Sequence, residues 1–285
     1  MNDAPAVLII TVNFRHAECT LQLLASASRL ESFSRCHLLV VDNHSDDGSA
    51  EHLQQEMSEF QNVELAVSQR NLGYFGAAKW ALDHYCVQHG TPDWVIICNN
   101  DIVFDDPQFL TRLLARDSQT VGVLAPAIRS ELTGFDSNPM ISARPGRLRR
   151  LRYRFLLSNY YVAWLTQWLA PIVRRGRKRL RAGRAENAQE AFQIYAPHGS
   201  FLIFSRKYFE AGGVLDDGCF LYGEEITVAE TCWQLGLPVI HDPKLKVSHR
   251  DSQTLGRTLT RNSYRLQKAG LQYALGKYLE SSRGV

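Results

Sequence analysis

Val7-Leu8-Ile9-Ile10-Thr11-Val12, followed by Asn13, is an unbroken apolar and β-branched run of strand length that ends on a polar residue. Residues 36–41 repeat the pattern and end on Asp42. Residues 94–98 repeat it again and end on Asn99-Asn100-Asp101. None of the three runs alternates apolar with polar residues. Between them, residues 17–30 place Leu21, Leu24 and Ala25 at helical spacing, and a second helix follows Asp47-Gly48-Ser49. A strand near 63–67 and a helix over 73–87 continue the series. Strands buried on both faces and alternating with helices predict an α/β fold with a mostly parallel central sheet. In such sheets a ligand sits outside the carboxyl ends of the strands, and those ends are where this chain turns polar.

A helix over 107–116 and a strand over 121–126 come next, and there the regular alternation stops. Turn formers fill residues 134–145. Strand and helix signals resume at 200–204 and 206–211, followed by a helix over 223–235, a strand pair near Val239 and Val247, and a final helix over 258–279.

With 285 residues and 45% hydrophobic side chains, the chain has enough apolar surface for a large core, which excludes a disordered or fibrous protein. The net charge of +3 conceals a division. From Arg144 to Arg184 there are 13 Arg or Lys and no Asp or Glu, so the remainder carries 19 basic against 29 acidic residues, or −10. Six cysteines form no CxxC pair and several sit in apolar runs, as expected of buried thiols in a reducing compartment. Met1-Asn2-Asp3-Ala4-Pro5 has no basic leader region, so the expected location is cytoplasmic.

The polar strand ends suggest a nucleotide-sized ligand. Asp42 and Asn43 can meet a base or ribose, and Asp101 can hold a divalent cation. Such a cation commonly keeps waters and takes one or two carboxylates plus substrate phosphates, so one aspartate with a diphosphate is a sufficient partial shell.

Taken together, Asp42 through Ser49, Arg70-Asn71-Leu72-Gly73-Tyr74-Phe75-Gly76-Ala77 and Cys98-Asn99-Asn100-Asp101 resemble the family 2 glycosyltransferases of GT-A fold, especially a bacterial rhamnosyltransferase-like branch. Gly199 through Arg206, Gly212 through Asp216, Phe220 through Glu225 and Val247-Ser248-His249 extend the likeness. The resemblance implies a metal-dependent, inverting transfer of a sugar, rhamnose first, from a nucleoside-diphosphate donor to a cell-surface glycan or polyprenyl-linked acceptor. It implies donor contacts from Thr11, Asn13, Asp42, Asn71, Gly73, Asn99, Asn100 and His249, with Asp101 on Mg²⁺ or Mn²⁺. Glu225 falls on the general-base carboxylate, with Glu224 its acidic neighbour. Asn99 stands where an aspartate is common, and Thr227 where the family often has a further acid. On this reading residues 1–135 form the nucleotide-sugar half, 136–197 a helical basic insertion, 198–256 the acceptor and catalytic half, and 257–285 a C-terminal helix. Two rivals remain. A sugar-phosphate nucleotidyltransferase would want a glycine-rich loop after the first strand, whereas Asn13-Phe14-Arg15-His16 has no glycine. A membrane-docked scaffold with a degenerate nucleotide fold would account for Asn99 and Thr227.

No charge occurs over residues 155–173, yet Ser158, Asn159, Thr166, Gln167 and Pro171 and the arginine-rich flanks argue against a membrane span. At helical spacing Leu157, Tyr161, Trp164, Leu165, Trp168 and Ile172 share a face, the pattern of an amphipathic helix lying on an anionic membrane surface. That places the protein at the inner face of the membrane, bound peripherally. Packing within the chain, or in a homodimer, is the other reading. Nucleic acid is not expected, because no fold signature for it accompanies the charge.

Overall fold

The computed structural model describes residues 6–60, 62–166, 190–250 and 259–280. The three apolar runs become strands β1 (Val7–Asn13), β2 (Cys36–Asp42) and β4 (Trp94–Asn99), joined with β3 (Val63–Val67) by parallel pairing in the order β3-β2-β1-β4. Helices α1 (Ala17–Ala27), α2 (Ser49–Glu56) and α3 (Tyr74–His89) make the crossovers that parallel pairing requires. The pleat sorts the side chains: Val7 and Ile9 enter a core with Leu23 and Leu24 of α1, whereas Leu8 and Ile10 enter one with Phe75 and Ala78 of α3.

Beyond β4 the sheet becomes mixed. β8 (Phe201–Ser205) pairs antiparallel with β4 and with β6 (Val123–Ser130), and β6 pairs parallel with β9 (Val239–His249). The strand pair expected near Val239 and Val247 is this one strand. Its register against β6 shifts between Pro126 and Ala127, where Asp242 and Lys246 are the successive partners. Proline has no N–H for the ladder, so Pro126 and Pro243 mark a bulge rather than a strand break.

β5 (Ile102–Val103) follows β4 by a two-residue turn yet lies at the far end of the strand order, paired with the end of β9; β7 (Phe192–Ile194) pairs with the start of β9. The sheet therefore curls, and the curl brings the β4–β5 turn, with Asp101, beside His249.

Short helices α4 (Phe109–Leu114), α5 (Arg147–Leu156) and α6 (Arg206–Glu210) precede α7 (Glu224–Leu235) and α8 (Arg261–Ala274). Thr260 and Ser263 form a reciprocal capping box at the start of α8. Ala274 and Leu275 then join Ile226 and Ala229 of α7 in a third core cluster. Asp216 fastens this C-terminal element to the loop before α7, accepting from Tyr273 at 2.8 Å, Lys277 at 3.0 Å and Tyr278 at 2.6 Å. None of the six cysteines is in a disulfide.

The helix expected across 155–173 is interrupted. α5 ends at Leu156 and residues 157–159 turn before helix resumes over 160–166. Ser158 bonds back to the Phe155 carbonyl at 2.7 Å, and the Asn159 carboxamide accepts from the Tyr161 amide at 2.8 Å, as an N-cap does. Trp168 and Ile172 lie outside the described residues.

Candidate functional site

The site assembles from four groups of side chains. Thr11, Asn13 and Asp42 have no exposed surface, and Asn100 is buried beside them. Asn13 donates to Asp42 Oδ2 at 2.8 Å and accepts from Thr20 at 3.0 Å and Asn100 at 3.2 Å; the Ser45 amide donates to Asp42 Oδ1 at 2.9 Å. Asn13, Asp42, Thr20 and Asn100 are therefore satisfied within this network, whereas the Thr11 hydroxyl is buried without a hydrogen bond. The network locks the ends of β1, β2 and β4 to α1, so a ligand lying across those ends meets a preset surface. Thr11 faces Cys98 across the ladder.

A second group builds the loop before α3. Asn43 accepts from the Leu72 amide at 2.8 Å and donates to Asn71 Oδ1 at 3.0 Å and to the Gly73 carbonyl at 3.2 Å. Gly73 has φ of +76°, and a Cβ there would overlap the Phe220 carbonyl oxygen. Both facts demand glycine. The Tyr74 amide donates to that same carbonyl at 3.0 Å, tying the Asn71–Gly73 loop to the segment leading into α7.

The third group is Asp101 and His249. Delivered together by the curl, they stand 3.0 Å apart from Oδ1 to Nε2, and both are almost fully buried. The His198 ring lies 6.1 Å from the His249 ring. Asn99 is half-buried at the end of β4, and its amide donates to the Ser200 carbonyl at 2.9 Å. Among the described residues no three His, Cys, Asp or Glu side chains converge as a metal cage. A carboxylate and an imidazole do suit a cation that takes its other ligands from a diphosphate and water.

The fourth group is Glu224 and Glu225, in the first turn of α7. Burial, and then the charge of Glu225, push the Glu224 carboxyl up to about 8. Its Oε1 is buried without a hydrogen bond. Burial also raises Glu225, against which the amides of Glu225, Gly223 and Gly199 favour the charged form. Two adjacent acids at a helix start could be ordinary dipole partners. The near-complete burial of Glu224 is costly for that role alone, while Glu225 keeps part of its surface exposed. Thr227, in place of an acid, satisfies itself by donating to the Glu224 carbonyl at 2.9 Å.

Residues 198–200 join the last two groups. His198 stands beside His249, Gly199 presents its amide to Glu225, and the Ser200 carbonyl binds β4. A Cβ on Gly199 would stand 2.7 Å from Glu225 Oε1, so only glycine permits the approach. The Tyr74 hydroxyl donates to the Gly199 carbonyl at 3.2 Å. Burial raises the Tyr74 hydroxyl well above its ordinary value, with Cys98, Glu224, Glu225 and Asp101 adding to the effect through their charges. One phenol thus feels both Asp101 and the two glutamates of α7. The sequence alone gives Tyr74 and Gly199 no site role; a glycine just before a strand is the only local signal.

Residues 7–213 match the profile described as Glycosyl transferase family 2. This chain belongs to that family. It is 27% identical over 270 residues to an N-acetylglucosaminyl-diphospho-decaprenol L-rhamnosyltransferase of Mycobacterium tuberculosis, covering 90% of this chain and 79% of the relative. Among solved structures it resembles GalNAc-T7 with UDP, GalNAc and Mn²⁺, at a TM-score of 0.59 and 14% identity, over 93% of this chain and 48% of that one. The glycosyltransferase chain thus spans about half of that larger neighbour. It also resembles the mannosyltransferase PcManGT of Pyrobaculum calidifontis in complex with GDP-Man and Mn²⁺, at 0.53 and 15%, over 100% and 77%. The fold is of GT-A type.

Proposed function

We propose that this glycosyltransferase moves a sugar, rhamnose first, from a nucleoside-diphosphate donor to a glycan or polyprenyl-linked acceptor in one displacement that inverts the anomeric centre. The observation that carries the reading is the junction at residues 198–200, which sets Glu225 on one side and Asp101 with His249 on the other. The nucleoside would lie across the locked strand ends near Asp42, with the loop of Asn43, Asn71 and Gly73 closing beside it. The name of the mycobacterial relative, a rhamnosyltransferase with a diphospho-decaprenol acceptor, supports both the sugar and the lipid link.

Asp101 and His249 would hold Mg²⁺ or Mn²⁺, with Asn99 beside them. A divalent cation there supplies neutralisation of charge on the leaving diphosphate. Glu225 accepts the proton of the acceptor hydroxyl as that oxygen attacks the anomeric carbon. Its raised proton affinity makes it a better base than an exposed carboxylate, and the Gly199 amide keeps it aimed. Burial raises the proton affinity of Glu224, which disfavours a second negative charge beside the base.

Replacing Glu225 with Gln is expected to lower transfer by about 10²- to 10⁴-fold while nucleotide binding, measured by calorimetry with UDP, GDP and dTDP, persists. Full transfer by that variant refutes the base assignment. Failure of the wild-type chain to bind any of the three with Mn²⁺ favours the degenerate scaffold instead.

A further inference from the structure

We propose that the outward face of α5, continued by residues 160–166, docks on an anionic bilayer. Leu148, Leu151 and Phe155 of α5 are 84%, 53% and 66% exposed. At about 100° per residue they fall within an arc of roughly 60°, with Arg147 and Arg154 on one flank and Arg152 on the other. The opposite side of the helix faces the protein. Tyr153 packs against the third core cluster, and Arg150 donates to the carbonyls of Pro145, at 2.9 Å, and Leu279. Internal contacts therefore hold this helix with its apolar stripe turned outward, the reverse of what burial in water selects.

After the turn at 157–159, Tyr161, Trp164 and Leu165 add further exposed surface. Residues 144–166 contain six arginines and no carboxylate. Arginine beside exposed leucine, phenylalanine, tyrosine and tryptophan suits the headgroup layer, which accepts apolar bodies and cationic or polar tips together. The excess of arginine over carboxylate in this segment selects anionic lipid. No helix among the described residues is long and apolar enough to cross a membrane, so the contact lies in the plane of the surface.

The site is tied to this face. Arg144 makes a two-pronged ion pair with the fully buried Glu230, at 2.8 and 2.6 Å, and Glu230 belongs to the helix whose first turn carries Glu225. Docking thus holds the base at a set height over the leaflet. That consequence rests on the glycosyl-transfer reading; the bilayer contact does not.

The test is sedimentation with vesicles of phosphatidylcholine alone and of an equal mixture with phosphatidylglycerol. The wild-type chain should pellet with the mixed vesicles. Binding should fall by about tenfold or more when Leu148, Leu151 and Phe155 are all replaced by Glu. Replacing Arg147 and Arg152 with Ser should remove the preference for anionic lipid. A melt of each variant checks the fold. Donor hydrolysis without vesicles should be unchanged in the triple variant, which separates this proposal from the activity. No binding to the mixed vesicles, or binding that survives the triple substitution, overturns it. So does a wild-type dimer in light scattering that the triple variant converts to monomer, which would assign the face to a second copy.

Discussion

Replacing Gly199 with Ala tests whether a backbone amide aims the base. The backbone at 199 is outside the left-handed region, so the chain itself accepts alanine. The added Cβ would stand 2.7 Å from Glu225 Oε1, 3.2 Å from Cδ and 3.4 Å from Cγ. Ordinary contact begins at 3.4 Å, so the carboxylate must retreat by about 0.7 Å. It does so by torsion of a flexible side chain, at small cost in stability, but the Gly199 amide bond slackens. Misplacement by 1 Å costs roughly 10²-fold in rate, so this retreat predicts a loss of about 10- to 100-fold in kcat. Transfer kinetics, nucleotide calorimetry and a thermal melt should be run on one preparation. The expected pattern is a lower kcat, a nucleotide Kd changed by less than about twofold, and a Tm within a few degrees. With Gln already at position 225 the alanine should cause no further loss of rate, since both changes act on one group. An unchanged kcat, or equal losses with and without the Glu225 carboxylate, would refute the argument.

Two further outcomes follow from buried charge. Glu224 has its proton affinity raised from 4.5 to about 8, so its stabilising contribution is complete below 4.5 and is lost as pH rises to about 8. Glu224→Gln should therefore melt near the wild-type Tm at low pH and above it at alkaline pH; a pH-independent difference would contradict the assignment. Arg144→Met leaves the fully buried Glu230 without its cation and should cost about 3 kcal/mol, read as a Tm lower by roughly 5–10 °C. Adding Glu230→Gln should restore part of the loss, and a single variant as stable as wild type would show that the ion pair contributes little.

The N-terminal half of the fold was legible because its strands are apolar on both faces, leaving little ambiguity between β1, β2 and β4 and the helices between them. Asp101 stands at a sharp change from apolar to polar sequence, whereas Glu225 is singled out only by the family resemblance, since two acids at a helix start are ordinary in themselves. What escaped was anything fixed by pairing between distant segments. That Asn13, Asp42 and Asn100 satisfy one another depends on strand register, which no single strand displays. The role of Gly199 depends on a carboxylate 26 positions onward. The strand pair expected near Val239 and Val247 is one strand, because its bulge opposite Pro126 and Ala127 is visible only in the register against β6. The break at 157–159 carries neither proline nor glycine and rests on two polar side chains bonding locally.

The curl of the sheet also sets the order in which the enzyme can come into being. Asp101 is synthesised early, yet its partner His249 arrives only when β9 has been made and its end has closed on β5. Pairing across so many residues is slow to form because a large loop must close first. A nascent or truncated chain lacking β9 would possess the polar strand ends and Asp101 but not the imidazole opposite it. If Asp101 and His249 hold the cation as proposed, its capture is deferred until β9 has paired with β5.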